Sequence, residues 1–98
     1  MDIHYTLQDT QFIWDDEKAK ANSNKHSLSF ETACEAFFDP FFHIVDDEVV
    51  DGEERESLIG MTVGWQLLFV VYTIRNETIR IISARLATRY ERRAYEEQ

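Results

Sequence analysis

Cationic side chains cluster in the last quarter of the chain. Six arginines lie between residues 75 and 93, where the acidic residues are Glu77 and Glu91. Guanidinium groups bind phosphate and carboxylate groups through paired N–H donors. The cluster therefore predicts a site for an anionic ligand, although the whole protein has a formal charge of -9.

A polar segment near residue 20 carries a second group of hydrogen-bond donors. Lys18, Asn22, Lys25 and His26 are spaced i, i+4, i+7 and i+8, so a helix through His26 would place all four on one face. Histidine exchanges protons near neutral pH, which makes Lys25–His26 a candidate catalytic pair. A histidine at the end of a polar helix is also commonly a surface residue or a partner of the helix dipole.

The arginines around the apolar run 81–84 have two interpretations. Arg80 and Arg85 are either phosphate ligands or members of structural salt bridges, since a buried charge needs a partner. They are five residues apart, so a regular strand would point them to opposite faces unless a bulge intervenes. We expect Arg85, at the end of the strand, to be the freer of the two.

The charge is divided unevenly along the chain. Residues 1–57 have fifteen acidic and four basic side chains, a formal charge of -11, whereas residues 58–98 have four acidic side chains and six arginines, a formal charge of +2. A polarised protein can present a basic surface to phosphates and an acidic surface to a basic partner. Both kinds of partner are therefore open.

Motifs for metal or cofactor chemistry are absent from the sequence. There is no glycine-rich phosphate loop, CxxC pair, HExxH or GxSxG motif. The three histidines lack ligand spacing, and the acidic runs 46–48 and 51–54 lack the twelve-residue calcium pattern. The sequence predicts no metal site and no cofactor.

Compartment can be predicted from the cysteine and the apolar runs. The lone Cys34 falls in an apolar helical pattern, which predicts a buried thiol and fits a reducing compartment. The longest apolar run, 67–72, is too short to span a bilayer, and the first residues lack a signal-peptide core. We expect a cytoplasmic protein that does not enter a membrane.

The hydrophobic pattern predicts one α+β domain over residues 1–98, in which residues 1–11 form a polar extension. The predicted order is β-α-α-β-β-β-β-α, with a mainly antiparallel sheet. Strands are predicted at 12–14, 41–45, 57–63, 67–72 and 79–82, helices from 15 through 26 and from 30 to 38, and a last helix after a capping box at Thr88–Glu91. Turns are predicted at Asp46–Glu48, Asp51–Gly52 and Asn76–Glu77.

Several separated motifs resemble one toxin family in order and spacing. They read FIWDDEKAKANSNKHSLSFETA from Phe12, FFDP from Phe37, GEER from Gly52, LFVVYT from Leu68 and IRIISARLATRYERRAYEE from Ile79. This combination resembles the BrnT-like toxins over residues 12–97. One departure is Ser27, where the family usually has glycine after the Lys–His pair.

The resemblance implies a RelE-like fold and the toxin of a type II toxin-antitoxin pair. The implied activity is an endoribonuclease that inhibits translation by cutting RNA, either free or as mRNA on the ribosome. The implied partner is a cognate antitoxin with a ribbon-helix-helix DNA-binding domain, through which alone the toxin would meet operator DNA. The alternative is a non-catalytic module of the same fold that only binds an antitoxin or nucleic acid.

Cleavage of RNA without a metal needs proton-transfer groups and fixed cations, and the chain has candidates for each. His26 is the predicted acid or base. The catalytic candidates are Lys25, His26, Arg80, Arg85, Glu54 and Tyr95, and the RNA-binding candidates are Arg55, Arg75, Arg89, Arg92 and Arg93. Arg55 has a structural salt bridge as its alternative, and the arginines after residue 88 have a solvated helix face as theirs.

Overall fold

A seven-stranded sheet forms the centre of the chain, which a computed structural model describes over residues 1–45 and 47–98. Its strands are β1 Asp2–Leu7, β2 Thr10–Asp15, β3 His43–Ile44, β4 Glu48–Val50, β5 Glu53–Met61, β6 Leu67–Arg75 and β7 Thr78–Leu86. The helices are α1 Asp16–His26, α2 Phe30–Glu35 and α3 Arg89–Glu96, and a 3₁₀ helix at Ala36–Phe38 extends α2. The predicted α+β class is confirmed.

The strand order is β1-β2-β7-β6-β5-β3, and β4 pairs separately with β5. Among the described strands β2 and β7 run parallel, and the other neighbours run antiparallel. The sheet is therefore mixed. The predicted five strands were too few, because β1 and β4 were not foreseen.

Strand β1 occupies the stretch that was predicted to be a polar extension. Ile3, Tyr5 and Leu7 alternate with polar residues, and the whole strand pairs with β2 from Asp2↔Asp15 to Leu7↔Thr10. The Tyr5 ring packs against Trp14 with 5.6 Å between the ring centroids. This short period-2 pattern was a strand signal.

The core lies between the sheet and the first two helices. Phe30, Ala33 and Cys34 on α2 are buried as the helical spacing predicted, and they meet buried strand residues such as Phe12 and Tyr72. Burial raises the pKa of the Cys34 thiol to about 12, so the inert buried thiol expected from sequence is found. The thiol is therefore out of reach of a ligand at the surface.

A close contact fixes the 3₁₀ helix on the sheet. A Cβ atom at Gly60 in β5 would lie 2.4 Å from the Ala36 carbonyl oxygen, so only glycine fits there. The helix ends at Asp39, whose backbone is extended before Pro40, as the sequence predicted.

The segment after Pro40 differs most from its prediction. The strand expected over 41–45 is reduced to His43–Ile44, and Phe41 is exposed instead. Of the predicted acidic turn, Asp46 lies outside the described residues and Glu48 opens β4. The turn at Asp51–Gly52 joins β4 to β5 with both φ angles positive, at 52° and 78°.

Helix α3 begins with the predicted capping box. The Glu91 carboxylate accepts a hydrogen bond from the Thr88 backbone N–H at 2.8 Å, and the Thr88 hydroxyl accepts one from the Glu91 N–H at 3.2 Å. Within residues 1–45 and 47–98, none of the helices has the length and apolar character needed to cross a membrane.

Candidate functional site

A β-bulge in β7 brings Arg80 and Arg85 to the same face of the sheet. Tyr72 on β6 pairs with Ile81, but the next residue back, Val71, pairs with Ser83, so Ile82 is skipped. Arg80 lies opposite Thr73 and Arg85 opposite Phe69. Because Thr73 and Phe69 are an even number of residues apart on β6, both arginines point the same way. The opposite orientation expected of a regular strand is therefore wrong here.

This surface, the sheet face turned away from α1 and α2, is called the open face. Register places four arginines on it, since Arg75 lies opposite Thr78 and Arg55 precedes Ser57, the partner of Val71, by two residues. Helix α3 packs against β5 and covers one end of the face. The arginines of the open face are Arg55, Arg75, Arg80 and Arg85.

Each open-face arginine has a carboxylate neighbour. Glu53 lies 3.7 Å from Arg55 Nε and 3.5 Å from Arg75 Nη2. Asp2 lies 3.0 Å from Arg80 Nη2 and holds β1 to β7. These pairs are partly exposed, and such pairs contribute little to stability, so an anionic ligand can compete for them.

Arg85 is the most tightly held of the four. Its Nη1 and Nη2 donate to the Glu91 carboxylate at 2.8 and 2.9 Å, Nη1 also donates to the Leu86 carbonyl, and the guanidinium lies 4.2 Å from the Phe69 ring centre. These hydrogen bonds lower the pKa of Glu91 and raise that of Arg85. The expectation that Arg85 would be the freer arginine is wrong, because the α3 capping residue also binds it. The side chain of Arg75 is 78% exposed and is freer.

Helix α1 carries Lys25 and His26 along the outer edge of β7. Strand β2 pairs with β7 only at Ile79 and Arg80, and α1 takes over this edge beyond them. Its Asn22 side chain donates to the Ala84 carbonyl at 2.9 Å and accepts from the Ala84 N–H at 3.1 Å, as a neighbouring strand would.

The position of Asn22 locates the Lys25–His26 pair. Lys25 and His26 follow it by three and four residues, about 4.5 to 6 Å further along the helix. Strand residues rise about 3.3 Å each, so the pair is level with Arg85 and Leu86. Lys25 is exposed and His26 is half-buried. The helix end and the strand end therefore meet at one edge of the open face.

Other predicted site residues lie elsewhere. Glu54 points to the face opposite that of Arg55, because neighbours in a strand alternate. The Tyr95 hydroxyl donates to Asp39 Oδ2 at 2.6 Å, and burial together with that bond raises the pKa of Tyr95 to about 12. Three predicted RNA contacts, Arg89, Arg92 and Arg93, are exposed on α3.

The sequence analysis missed polar residues that share the open face. His4 pairs with Ile13 and Ile13 with Arg80, so His4 and Arg80 lie two strands apart, about 10 Å between Cα atoms. Thr73 and Ser83 lie on the same face. The alternation of polar residues along β1 was the signal that could have found His4. Across the described ranges 1–45 and 47–98, His, Cys, Asp and Glu side chains form no group of three able to hold a metal ion.

Comparisons with known proteins agree with this architecture. A family model described as "Ribonuclease toxin, BrnT, of type II toxin-antitoxin system" matches residues 14–91. The 1.1 Å crystal structure of the Brucella abortus ribonuclease toxin BrnT superposes with a TM-score of 0.51 and 24% sequence identity, covering 78% of this chain and 94% of that chain. At that identity the structural likeness shows the fold alone. No curated protein matches the sequence.

Proposed function

The chain belongs to the BrnT family of ribonuclease toxins of type II toxin-antitoxin systems, and from this membership we propose that it is an endoribonuclease that inhibits translation. We also propose that its fold is RelE-like. The observation that carries the proposal is the β7 bulge, since it puts Arg80 and Arg85 on one face beside the end of α1. Fixed cations and a candidate proton-transfer group thus share one edge.

The proposed reaction is attack of a ribose 2′-oxygen on the adjacent phosphorus. A base takes the 2′-hydroxyl proton, the P–O5′ bond breaks, and an acid protonates the leaving 5′-oxygen. The products are a 2′,3′-cyclic phosphate and a 5′-hydroxyl end. Each proton transfer contributes about 10²- to 10⁴-fold to the rate, and fixed cations stabilise the charge that develops on the phosphate. The reaction as written uses no metal ion.

We assign one proton transfer to His26 and the phosphate contacts to Lys25, Arg80 and Arg85. A guanidinium has five N–H donors. In Arg85 the Nε–H and one Nη2–H remain without a partner among the described residues, and these are the donors assigned to the phosphate. Glu91 would then hold the guanidinium in position while RNA binds to its other side.

The neutralising partner is proposed from the family and the charge. Type II systems pair the toxin with an antitoxin, and residues 1–57 carry a formal charge of -11 that would attract a basic protein segment. We propose an antitoxin with a ribbon-helix-helix domain, through which the complex reaches operator DNA. RNA, free or on the ribosome, would compete for the open face.

The test is expression of the toxin without its antitoxin. Growth arrest, RNA degradation in the presence of EDTA, and a loss of both in His26→Ala and Arg85→Ala are expected. Lys20→Ala, at an exposed position on α1, is the matched control and should stay active. Urea unfolding checks that Arg85→Ala remains folded without its bond to Glu91. Full toxicity in both folded variants would refute the assigned site.

A second function, a non-catalytic interaction module, is favoured by the carboxylate neighbour of every open-face arginine. Salt-dependent RNA affinity rests on free cations, and paired ones contribute less. Such a module would bind the antitoxin but leave RNA intact and growth normal when expressed alone. The same experiment therefore decides between the two functions.

A further inference from the structure

A polar pocket of about 260 Å³ opens between the β1–β2 hairpin and the far end of β5, β6 and β7. Ligand pockets for drug-sized molecules are usually about 300–1,000 Å³. This pocket therefore suits one phosphate with its sugar or base better than a helical segment of nucleic acid. The residues that line it are His4, Gln11, Phe12, Ile13, Glu53, Thr73, Arg75, Asn76, Thr78 and Arg80.

The chemistry of the pocket favours an anion. Arg75 reaches into it with a side chain that is 78% exposed, and Arg80 forms the opposite side. His4 adds ring nitrogens, and Thr73 adds a hydroxyl. Of the described lining residues, Glu53 alone carries a carboxylate, and it lies 3.5 Å from Arg75. A phosphate oxygen can replace that contact and also meet Arg80.

The pocket is partly built from residues that the family model does not cover. His4, Gln11, Phe12 and Ile13 precede residue 14, where the family match begins. One wall is therefore supplied by the β1–β2 hairpin. Shared family features do not account for this cavity.

The pocket also lies at a defined distance from the proposed cleavage site. Arg80 and Arg85 face the same side, and their partners on β6, Thr73 and Phe69, are four residues apart, about 13 Å. An RNA strand lying along β7 with one phosphate at Arg85 would pass over the pocket. A second nucleotide of the same strand can therefore reach it.

We propose that this pocket is a subsite for a second nucleotide of the RNA substrate, at a phosphodiester that is not cut. Arg75 and Arg80 hold its phosphate, and His4, Thr73 and Asn76 contact its sugar or base. The inference rests on the proposed ribonuclease function. It gives the β1–β2 hairpin a role in holding single-stranded RNA across the open face.

The test compares binding of two 2′-O-methyl oligoribonucleotides, which cannot be cleaved. One is limited to the nucleotides next to the cleavage site, and the other extends several nucleotides in both directions. Fluorescence anisotropy should give a Kd about tenfold lower for the longer one, since more phosphates meet cations. A double variant, His4→Ala with Arg75→Ala, should lose this gain and bind the short one as before. Arg80 is left intact because it ties β1 to β7.

Two controls distinguish the pocket from a general loss of positive charge and from a small-molecule site. Lys20→Ala removes one exposed positive charge from α1 and should keep the gain. Equal weakening of both oligonucleotides in the double variant, or no weakening, would overturn the subsite. So would a free nucleoside monophosphate that binds the parent as tightly as the long oligonucleotide, since that marks a small-molecule site.

Cleavage of the unmodified oligonucleotides is measured in parallel and reports on the proposed function alone. A parent that shows the length-dependent binding but cuts neither RNA would refute the ribonuclease and keep the pocket. A parent that cuts both, but whose double variant loses no length-dependent affinity, would refute the pocket and keep the ribonuclease.

Discussion

Asn22 and Ala84 are 62 residues apart in the sequence, yet the Asn22 side chain binds both backbone groups of Ala84. The same amide also donates to the Leu28 carbonyl at 3.4 Å, and Asn22 is 8% exposed. One side chain therefore completes the β7 ladder where β2 ends and fixes α1 on that edge. Its position also sets where Lys25 and His26 lie.

Asn22→Ala is predicted to lower the free energy of unfolding by about 2–3 kcal/mol. The alanine leaves the Ala84 N–H and carbonyl without partners in a buried place. Urea unfolding measures the loss. Asn24→Ala makes the same chemical change at an exposed position and should cost less than about 0.5 kcal/mol. Equal losses in the two variants would contradict this role of Asn22.

Ser27→Gly is predicted to stabilise the protein by about 0.5–1 kcal/mol. Ser27 ends α1 in the left-handed region, with φ 57° and ψ 34°, where glycine is the preferred residue. This geometry explains why the resembling toxins usually have glycine at this position. Ser23→Gly, inside the same helix, should instead destabilise by about 0.5 kcal/mol. Thermal or urea unfolding that gave both variants the same sign would refute the interpretation.

Local sequence signals predicted most of the helices and the hairpin turns. The Thr88 capping box, the apolar face of α2 and the positive-φ turn at Asn76–Glu77 are all short-range patterns that the structure contains. They were predictable because caps and turns depend on residues a few positions apart. Strand β1 was missed because only three apolar residues mark it.

The site was less predictable because it depends on register. A bulge of one residue at Ile82 reverses the parity that separated Arg80 from Arg85. The pairing of Arg85 with Glu91 depends on where α3 starts relative to the end of β7. His4 becomes relevant only because β1 pairs with β2. None of these relations follows from the local composition.

Stability is predicted to fall as the pH drops below about 4.5. Burial raises the pKa of Asp39, but hydrogen bonds from Tyr95 and from the Phe41 and Met61 backbone outweigh it, so the pKa lies below its ordinary 3.8. Hydrogen bonds from Arg85 hold the pKa of Glu91 below its ordinary 4.5. The unfolded chain therefore takes up protons at higher pH than the folded protein does, and acid favours unfolding.

The double variant Asp39→Asn with Glu91→Gln isolates these two carboxyls. It should be less stable than the parent at neutral pH and should lose less stability on going to about pH 3. Urea unfolding at both pH values gives the comparison. Glu56, whose pKa is raised by burial and by nearby carboxylates, acts in the opposite direction and is present in both proteins. Parallel pH curves would show that neither Asp39 nor Glu91 carries the effect.

Tyr95→Phe separates a structural role from the catalytic one that the sequence suggested. The hydroxyl is already donated to Asp39, whose carboxylate also accepts from the Met61 N–H at 2.8 Å. Removing it should lower the free energy of unfolding by about 1–2 kcal/mol. RNA cleavage per folded molecule should remain within about twofold of the parent, because a hydroxyl with a pKa of about 12 that is held by Asp39 is a poor proton donor to the leaving oxygen. Tyr90→Phe, at a position 82% exposed, should change neither quantity. A more than hundredfold loss of cleavage in folded Tyr95→Phe, with unchanged stability, would instead return Tyr95 to the catalytic group.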